Sequence, residues 1–242
     1  MRRIQDLLAI AASVSLAVTH YAPSAMAAAG FVSGYFVGGT TDSSGNVTFG
    51  KVQQYFAGTG TYVNLVRGSN RWGDYSATTL DPMESNKFWT IQEYASSSPS
   101  APNTWSTQFA GISFNTDNTI TFKSFAGSSQ LGCGICIFPP DTMGAAGSSH
   151  FVQMGNGDGP GFAVYNKSDG KPAPGFPETL ATFWNNAGVT AATNSTGDSR
   201  ILYDPGSGHW FATTLANPIP SPWWTLPIAT CPKPCCRHRR DP

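Results

Sequence analysis

Gly73-Asp74-Tyr75-Ser76-Ala77-Thr78-Thr79-Leu80-Asp81-Pro82 leads, after five residues, to Phe88-Trp89. Gly197-Asp198-Ser199-Arg200-Ile201-Leu202-Tyr203-Asp204-Pro205 leads, after three, to His209-Trp210. Each reads as a strand, an Asp-Pro turn and a second strand. The Asp side chain accepts from backbone N–H groups just ahead of it, and Pro presets φ for the turn. The second strands are expected over Trp89–Tyr94 and Trp210–Leu215. The copies lie 124 residues apart, about three units of 40 residues, a period typical of propeller blades.

Working outward, a third hairpin stands between the copies. Phe151 to Met154 and Phe162 to Tyr165 flank the turn Gly155-Asn156-Gly157-Asp158-Gly159, and a second turn, Asn166-Lys167-Ser168-Asp169-Gly170, follows. Phe31 to Val37, Val47 to Phe49, Val52 to Phe56 and Thr61 to Val66 read as further strands. Two turns, Asp42 to Phe49 and Asp117 to Phe122, each send Asp/Asn into a β-branched, aromatic strand. Residues 96–104 read as a polar loop, and Glu178 to Asn185 as a short helix. Repeated antiparallel hairpins with a Trp at a fixed place predict an all-β fold, a β-propeller or part of one.

Composition agrees. Charged residues are 12% of the chain, against about a quarter in ordinary globular domains. Gly, Ser, Thr, Asn and aromatics take their place, which disfavours long surface helices.

The N-terminus reads as an export signal. Arg2 and Arg3 precede the apolar run Leu7–Val18, and Ala25-Met26-Ala27 supplies a small-x-small cleavage site after Ala27. The run is 12 residues long, short of the roughly 20 that span a bilayer. Residues 28–217 are then expected as the propeller-like domain, and 218–242, rich in Pro, Cys and Arg, as a poorly ordered tail. Without residues 1–27 the chain carries 12 basic and 13 acidic side chains. That balance excludes the electrostatic footprint of a nucleic-acid or anionic-membrane binder. The expected location is extracytoplasmic, secreted or at the cell surface.

Cys133, Cys136, Cys231, Cys235 and Cys236 are disulfide candidates in an exported chain. Cys133-Gly-Ile-Cys136 has C-x-x-C spacing, but Ile137-Phe138-Pro139-Pro140 is no helix start, which argues against a redox thiol. A zinc site from Cys133, Cys136, Cys231 and Cys235 needs pairs about 95 residues apart to meet. Asp158 in its Gly-rich turn is a weak calcium candidate. No cofactor is expected.

Asn70-Arg71-Trp72-Gly73-Asp74-Tyr75-Ser76 with Asp81-Pro82 and Phe88-Trp89 resembles bacterial exported proteins with sialidase-like or BNR-like propellers. So do Pro139-Pro140-Asp141-Thr142-Met143-Gly144-Ala145, His150 to Met154, Phe162 to Tyr165, and Asp198 to Pro205 with Trp210-Phe211-Ala212. The resemblance covers roughly residues 62–114 and 138–215. It implies a propeller scaffold, which its members share without sharing a reaction. Two departures stand out. The Trp-Gly-Asp-Tyr-Ser element precedes the Pro-Pro-Asp-Thr element, the reverse of the family's order. About 215 residues also make only four or five blades of about 40–45 residues.

Sialidase chemistry needs three arginines on a carboxylate, a Tyr nucleophile paired with Glu, and an acid Asp. Outside the signal and tail the arginines are Arg67, Arg71 and Arg200. Glu93 and Tyr94 are adjacent, and strand neighbours point to opposite faces. Asp74, between Trp72 and Tyr75, is read as a turn cap or as a cleft carboxylate. Trp72, Tyr75, Trp89, Trp105, Trp184 and Trp210 are read as blade core or as stacking surfaces for a sugar or protein. The expected ligand-binding set is Arg71, Trp72, Asp74, Tyr75, Trp89, Arg200 and Trp210, with no catalytic residue assigned. Three functional readings follow. The first is a non-enzymatic exported module binding a glycan or surface protein. The second is a sialidase-like glycoside hydrolase, and the third a truncated or rearranged propeller without independent function.

Overall fold

A computed structural model describes residues 7–13, 30–66, 68–115, 119–130, 139–156, 161–189, 196–216 and 228–230. The expected all-β character holds: the chain is mostly antiparallel sheet with a single described helix. No described helix is long and apolar enough to cross a membrane.

Four sheets carry the architecture. The first contains β1 (Leu7–Ser13), β2 (Gly34–Thr41), β3 (Val47–Phe49) and β4 (Gln53–Phe56). After it comes a two-stranded ribbon of β5 (Leu65–Val66) and β6 (Ser69–Asn70). The second sheet is a meander of β7 (Ala77–Leu80), β8 (Lys87–Ala95), β9 (Trp105–Phe114) and β10 (Ile120–Ser129). The third is β11 (Met143–Ala146), β12 (His150–Met154) and β13 (Phe162–Asn166). The fourth is β14 (Thr196–Asp204), β15 (His209–Ala216) and β16 (Ile228–Thr230). Both copies of the repeated motif are therefore hairpins, β7–β8 and β14–β15, with the Asp-Pro turns at their tips.

The first strands stand side by side in chain order: β1 beside β7, β7 beside β11, β11 beside β14. Among the described residues the sheets do not close into a complete propeller. Strands β8 and β9 are buried along almost their whole length rather than on alternate residues. A sheet covered on both faces has this pattern, because each face meets a neighbouring sheet. One apolar layer, with Trp89, Ile91, Phe109 and Phe151, joins the second sheet to the third. Phe109 and Phe151 stack there at 5.1 Å and 2°. A second layer joins the third sheet to the fourth around Met154, Phe162, Trp184 and Trp210. Helix α1 (Leu180–Asn186) closes that layer with Leu180, Phe183 and Trp184. Thr179 caps it by accepting from the Thr182 N–H at 3.0 Å.

Two paired strands fall in the segments read as leader and tail. The apolar leader run contributes a strand, β1, paired with β2 from Leu7↔Thr40 to Ser13↔Gly34. The tail contributes another, β16, paired with β15; backbone pairing needs no side-chain periodicity, so composition concealed it. Cys133, Cys136, Cys231, Cys235, Cys236, Asp158, Arg67, Ala27 and the Asp117 turn lie outside the described residues.

Candidate functional site

The sheets present two ends. At one end lie the Asp-Pro turns. At the other, the starts of β7, β11 and β14 meet the end of β8 and the residue that follows Gly155 after β12. This second end collects Arg71, Asp74, Tyr75, Glu93, Asp141, Asn156, Asp198 and Arg200.

The ribbon β5–β6 positions Arg71. Asn70 Oδ1 accepts the Asn64 N–H at 2.6 Å, and the Arg71 N–H bonds to the Asn64 carbonyl at 2.7 Å. The Arg71 guanidinium forks onto Asp74, with Nη1–Oδ1 at 2.9 Å and Nη2–Oδ2 at 2.5 Å. Both side chains stay about two-fifths exposed, so the pair orients more than it stabilises. Trp72 sets its ring edge-on to Tyr62 at 4.8 Å. Tyr75 carries the Arg200 guanidinium on its face at 3.9 Å, which ties the start of β14 to the first copy.

Beneath this rim runs a polar chain linking three sheets. The Asp74 N–H donates to Asp141 Oδ1 at 2.8 Å. Asn156 Nδ2 donates to Asp141 Oδ2 at 2.7 Å. Asn156 Oδ1 accepts the Asp198 N–H at 2.8 Å. One carboxylate and one amide thus set the two Gly-Asp turns relative to each other. Asp141 and Asp198 both hold left-handed backbones, φ 45° and 51°, a region Asp tolerates better than most residues.

Glu93 completes the cluster. It is 3% exposed, its Oε1 accepts the Gly73 N–H, and its Oε2 has no hydrogen-bond partner among the described residues. A Cβ on Gly73 would collide with this carboxyl. Burial, reinforced by the Asp141 and Asp74 charges, pushes Glu93 up to about 8 against the opposing pull of the Gly73 N–H and Arg71. Asp141 is also raised, first by burial and then by Asp74 and Asp198, against its hydrogen bonds. Burial thus biases two carboxyls of the site, Glu93 and Asp141, towards the acid form.

Of the expected ligand set, Arg71, Asp74, Tyr75 and Arg200 come together, while Trp72 packs with Tyr62 and Trp105. Trp89 and Trp210 do not join them: they are 2% and 8% exposed. Trp89 gives its Nε1–H to Asp81 at 2.7 Å, and Trp210 packs on Tyr203 at 4.9 Å. Both are core, the other of the two readings the sequence allowed. Glu93, Asp141, Asn156 and Asp198 were missing from the expected set. Aligning the motif copies on Gly-Asp would have flagged Asp198 against Asp74, and aligning them on their tryptophans sets Glu93 against Thr214. Asn156 had no signal beyond its turn.

The sialidase constellation is not assembled from the described residues. Arg71 is committed to Asp74, and Arg200 to Tyr75 and the Ser199 carbonyl. Glu93 faces the cluster, whereas Tyr94 packs on Phe56 at 4.4 Å. Among the described residues, no three His, Cys, Asp or Glu side chains are placed to hold a metal ion.

No family model matches the sequence, and no curated protein matches it. A solved structure, described as the crystal structure of a thermostable family-43 glycoside hydrolase, matches 82% of this chain and 67% of its own. The identity is 10% and the TM-score 0.37, a likeness too low to fix fold or activity.

Proposed function

We propose that the chain is an exported, propeller-like module that binds a glycan at the end of the sheets where β7, β11 and β14 begin. The observation that carries this reading is convergence. Arg71, Asp74, Tyr75 and Arg200, from two motif copies, share one rim held by the Asp74–Asp141–Asn156–Asp198 chain. Such a rim supplies what a sugar requires: donors and acceptors for hydroxyls, with the Tyr75 ring beside them. The packing of β7, β11 and β14 side by side, with β8 and β9 buried on both faces, supports the propeller-like part. The leader pattern at residues 1–27 and the family resemblance support export to the cell surface.

The test is a glycan-binding screen of the full chain beside Tyr75→Ala and Arg200→Ala. Both variants are expected to weaken the selected glycan at least about tenfold, or about 1.4 kcal/mol. Unchanged affinity in both would remove the rim from the reading.

A second reading, glycoside hydrolysis, is favoured by one observation: Glu93 and Asp141 are held towards the acid form beside Asp74 and Asp198. Paired acid and base carboxyls are what that reaction uses. Release of reducing sugar by the full chain, abolished in Asp141→Asn, would favour it over binding alone.

A further inference from the structure

We propose that the chain has a second ligand site, a groove between the first and second sheets that takes a neutral sugar. The groove lies at the Asp-Pro end, away from the rim, and its chemistry does not depend on what the rim binds.

The groove has a volume of about 680 Å³, a size usual for small-ligand sites. One wall is the β2–β3 hairpin, with Thr40, Thr48 and Phe49. The other is formed by hairpin tips of the second sheet, with Asn86 just before β8 and Phe114, Asn115 and Ile120 around the β9–β10 turn. Gly38 lets the two walls approach, since a Cβ there would collide with Phe114 and Ile120.

The aromatic surface is fixed in place. The Phe49 ring fills the space that a side chain on Gly39, its cross-strand partner, would take. It is nevertheless 45% exposed. A seated ring that is still nearly half open is a stacking surface for the C–H face of a sugar.

The polar groups are fixed as well. The Asn86 carbonyl accepts the Phe114 N–H at 2.9 Å, and Asn86 Nδ2 donates to the Phe114 carbonyl at 2.8 Å. The Asn115 N–H donates to the Thr119 carbonyl at 2.9 Å, and its Nδ2 to Thr119 Oγ1 at 2.9 Å. Among the described residues neither amide Oδ1 has a hydrogen-bond partner, and neither do the hydroxyls of Thr40 and Thr48. Four neutral polar side chains with unspent hydrogen-bonding capacity thus stand beside an aromatic face. Groups held in advance bind a hydroxyl-bearing ligand at little ordering cost.

Charge and backbone pairing narrow the ligand. No charged side chain lines the groove. Lys87, next to Asn86 in the chain, is bound to Glu84 at 2.8 Å. Asp42, at the β2–β3 tip, accepts from the Ser44 and Asn46 N–H groups. A charged ligand would lose water here without gaining a counter-charge, which favours a neutral one. A peptide strand fits less well. On the groove side β2 is already paired with β3, Gly39 with Phe49 and Thr40 with Thr48, and the Gly38 carbonyl takes the Gly50 N–H at 2.8 Å. The floor therefore offers no ladder to extend.

The experiment is isothermal titration of the full chain with neutral tetramers of glucose, xylose and mannose, and with a galacturonic acid tetramer. At least one neutral tetramer is expected to bind, about tenfold or more tighter than the acidic one. Phe49→Ala should weaken it about tenfold or more. Thr48→Val keeps the β-branched shape and removes only the hydroxyl, and should weaken it about threefold or more. Both side chains are exposed, so both variants should melt with the parent. Tyr75→Ala and Arg200→Ala should leave this binding within about twofold, as distant sites do. Loss in the groove variants with none in the rim variants supports the groove. Binding that survives Phe49→Ala and Thr48→Val but falls in Tyr75→Ala overturns the groove and leaves the rim reading intact. Binding of no neutral tetramer, or tighter binding of the acidic one, also overturns the proposal. So does a dimer in sedimentation that Phe49→Ala dissolves with no sugar bound, which would give the groove to a second copy.

Discussion

The two copies of the Gly-Asp/Asp-Pro/Trp motif share a hairpin and differ in what surrounds it. In both, the turn Asp does the same local work. Asp81 accepts the Met83 N–H at 2.8 Å and the Glu84 N–H at 3.2 Å. Asp204 accepts the Gly206 N–H at 3.0 Å and the Ser207 N–H at 3.2 Å. Beyond the turn they part. Asp81 is 1% exposed, pairs with Lys167 at 2.7 Å and holds the Trp89 indole. Asp204 is partly exposed and has no salt bridge among the described residues. At the other end, Gly73 bonds through its N–H to the Glu93 carboxyl, while Gly197 accepts through its carbonyl from the Thr214 hydroxyl at 3.0 Å. Glu93 and Thr214 stand four residues beyond Trp89 and Trp210 respectively. One motif therefore specifies a turn and a register, and the neighbouring sheet decides whether its carboxylate is structural.

The sharpest break in the comparison is Asp81→Ala against Asp204→Ala. Burial pushes the Asp81 carboxyl up, but Lys167 and the hydrogen bonds of Met83 and Trp89 hold it below its ordinary value. Removing it strands a Lys167 side chain that is 10% exposed. The expected cost is about 3–5 kcal/mol, read in a denaturant melt, whereas Asp204→Ala should hardly move the midpoint. Equal effects would mean that the two turns are equivalent after all.

Next comes pH. Glu93 is raised from 4.5 to about 8, so between those values the folded state binds more protons than the unfolded one. Its contribution is most favourable below about 4.5 and is lost as pH rises through about 8. Glu93→Gln keeps an acceptor for the Gly73 N–H without the charge. It should leave stability near pH 5 close to that of the parent and raise it at pH 9, by an amount on the order of a few kcal/mol. A parent and variant that lose stability in parallel from pH 5 to 9 would refute this assignment. The second copy, with Thr214 in that place, supplies no such dependence.

The smallest contrast is Gly73→Ala against Gly197→Ala. A Cβ at position 73 meets the Glu93 carboxyl, whereas at position 197 its nearest contact is Asn156 Oδ1 at 3.4 Å. The first substitution should cost about 1–3 kcal/mol as an overpacking change, and the second far less. Thermal melts of the two variants decide it.

Much of the hairpin layer was legible from local rules. Asp-Pro turns, β-branched and aromatic runs, and the Gly-rich turn after Met154 placed β8, β12, β13 and β15 within a residue or two. The helix expected over 178–185 forms at Leu180–Asn186 behind its Thr179 cap. The site was only half legible. Arg71, Asp74, Tyr75 and Arg200 sit inside conspicuous motifs. Asp141 and Asn156 lie in turns that look ordinary until three sheets are brought together. Trp89 and Trp210 show the converse: a tryptophan at a strand start reads alike whether it faces a ligand or a neighbouring sheet.

The sequence by itself determined the all-β character, the turn chemistry and the hairpin repeat, because turns and strand preferences act within a few residues of the backbone. Only the tertiary structure decided that Lys167 neutralises Asp81 across 86 residues, and that Asp74, Asp141 and Asp198 meet with Glu93 buried beneath them. Those pairings depend on which first strands lie side by side, and burial and charge act through space rather than along the chain.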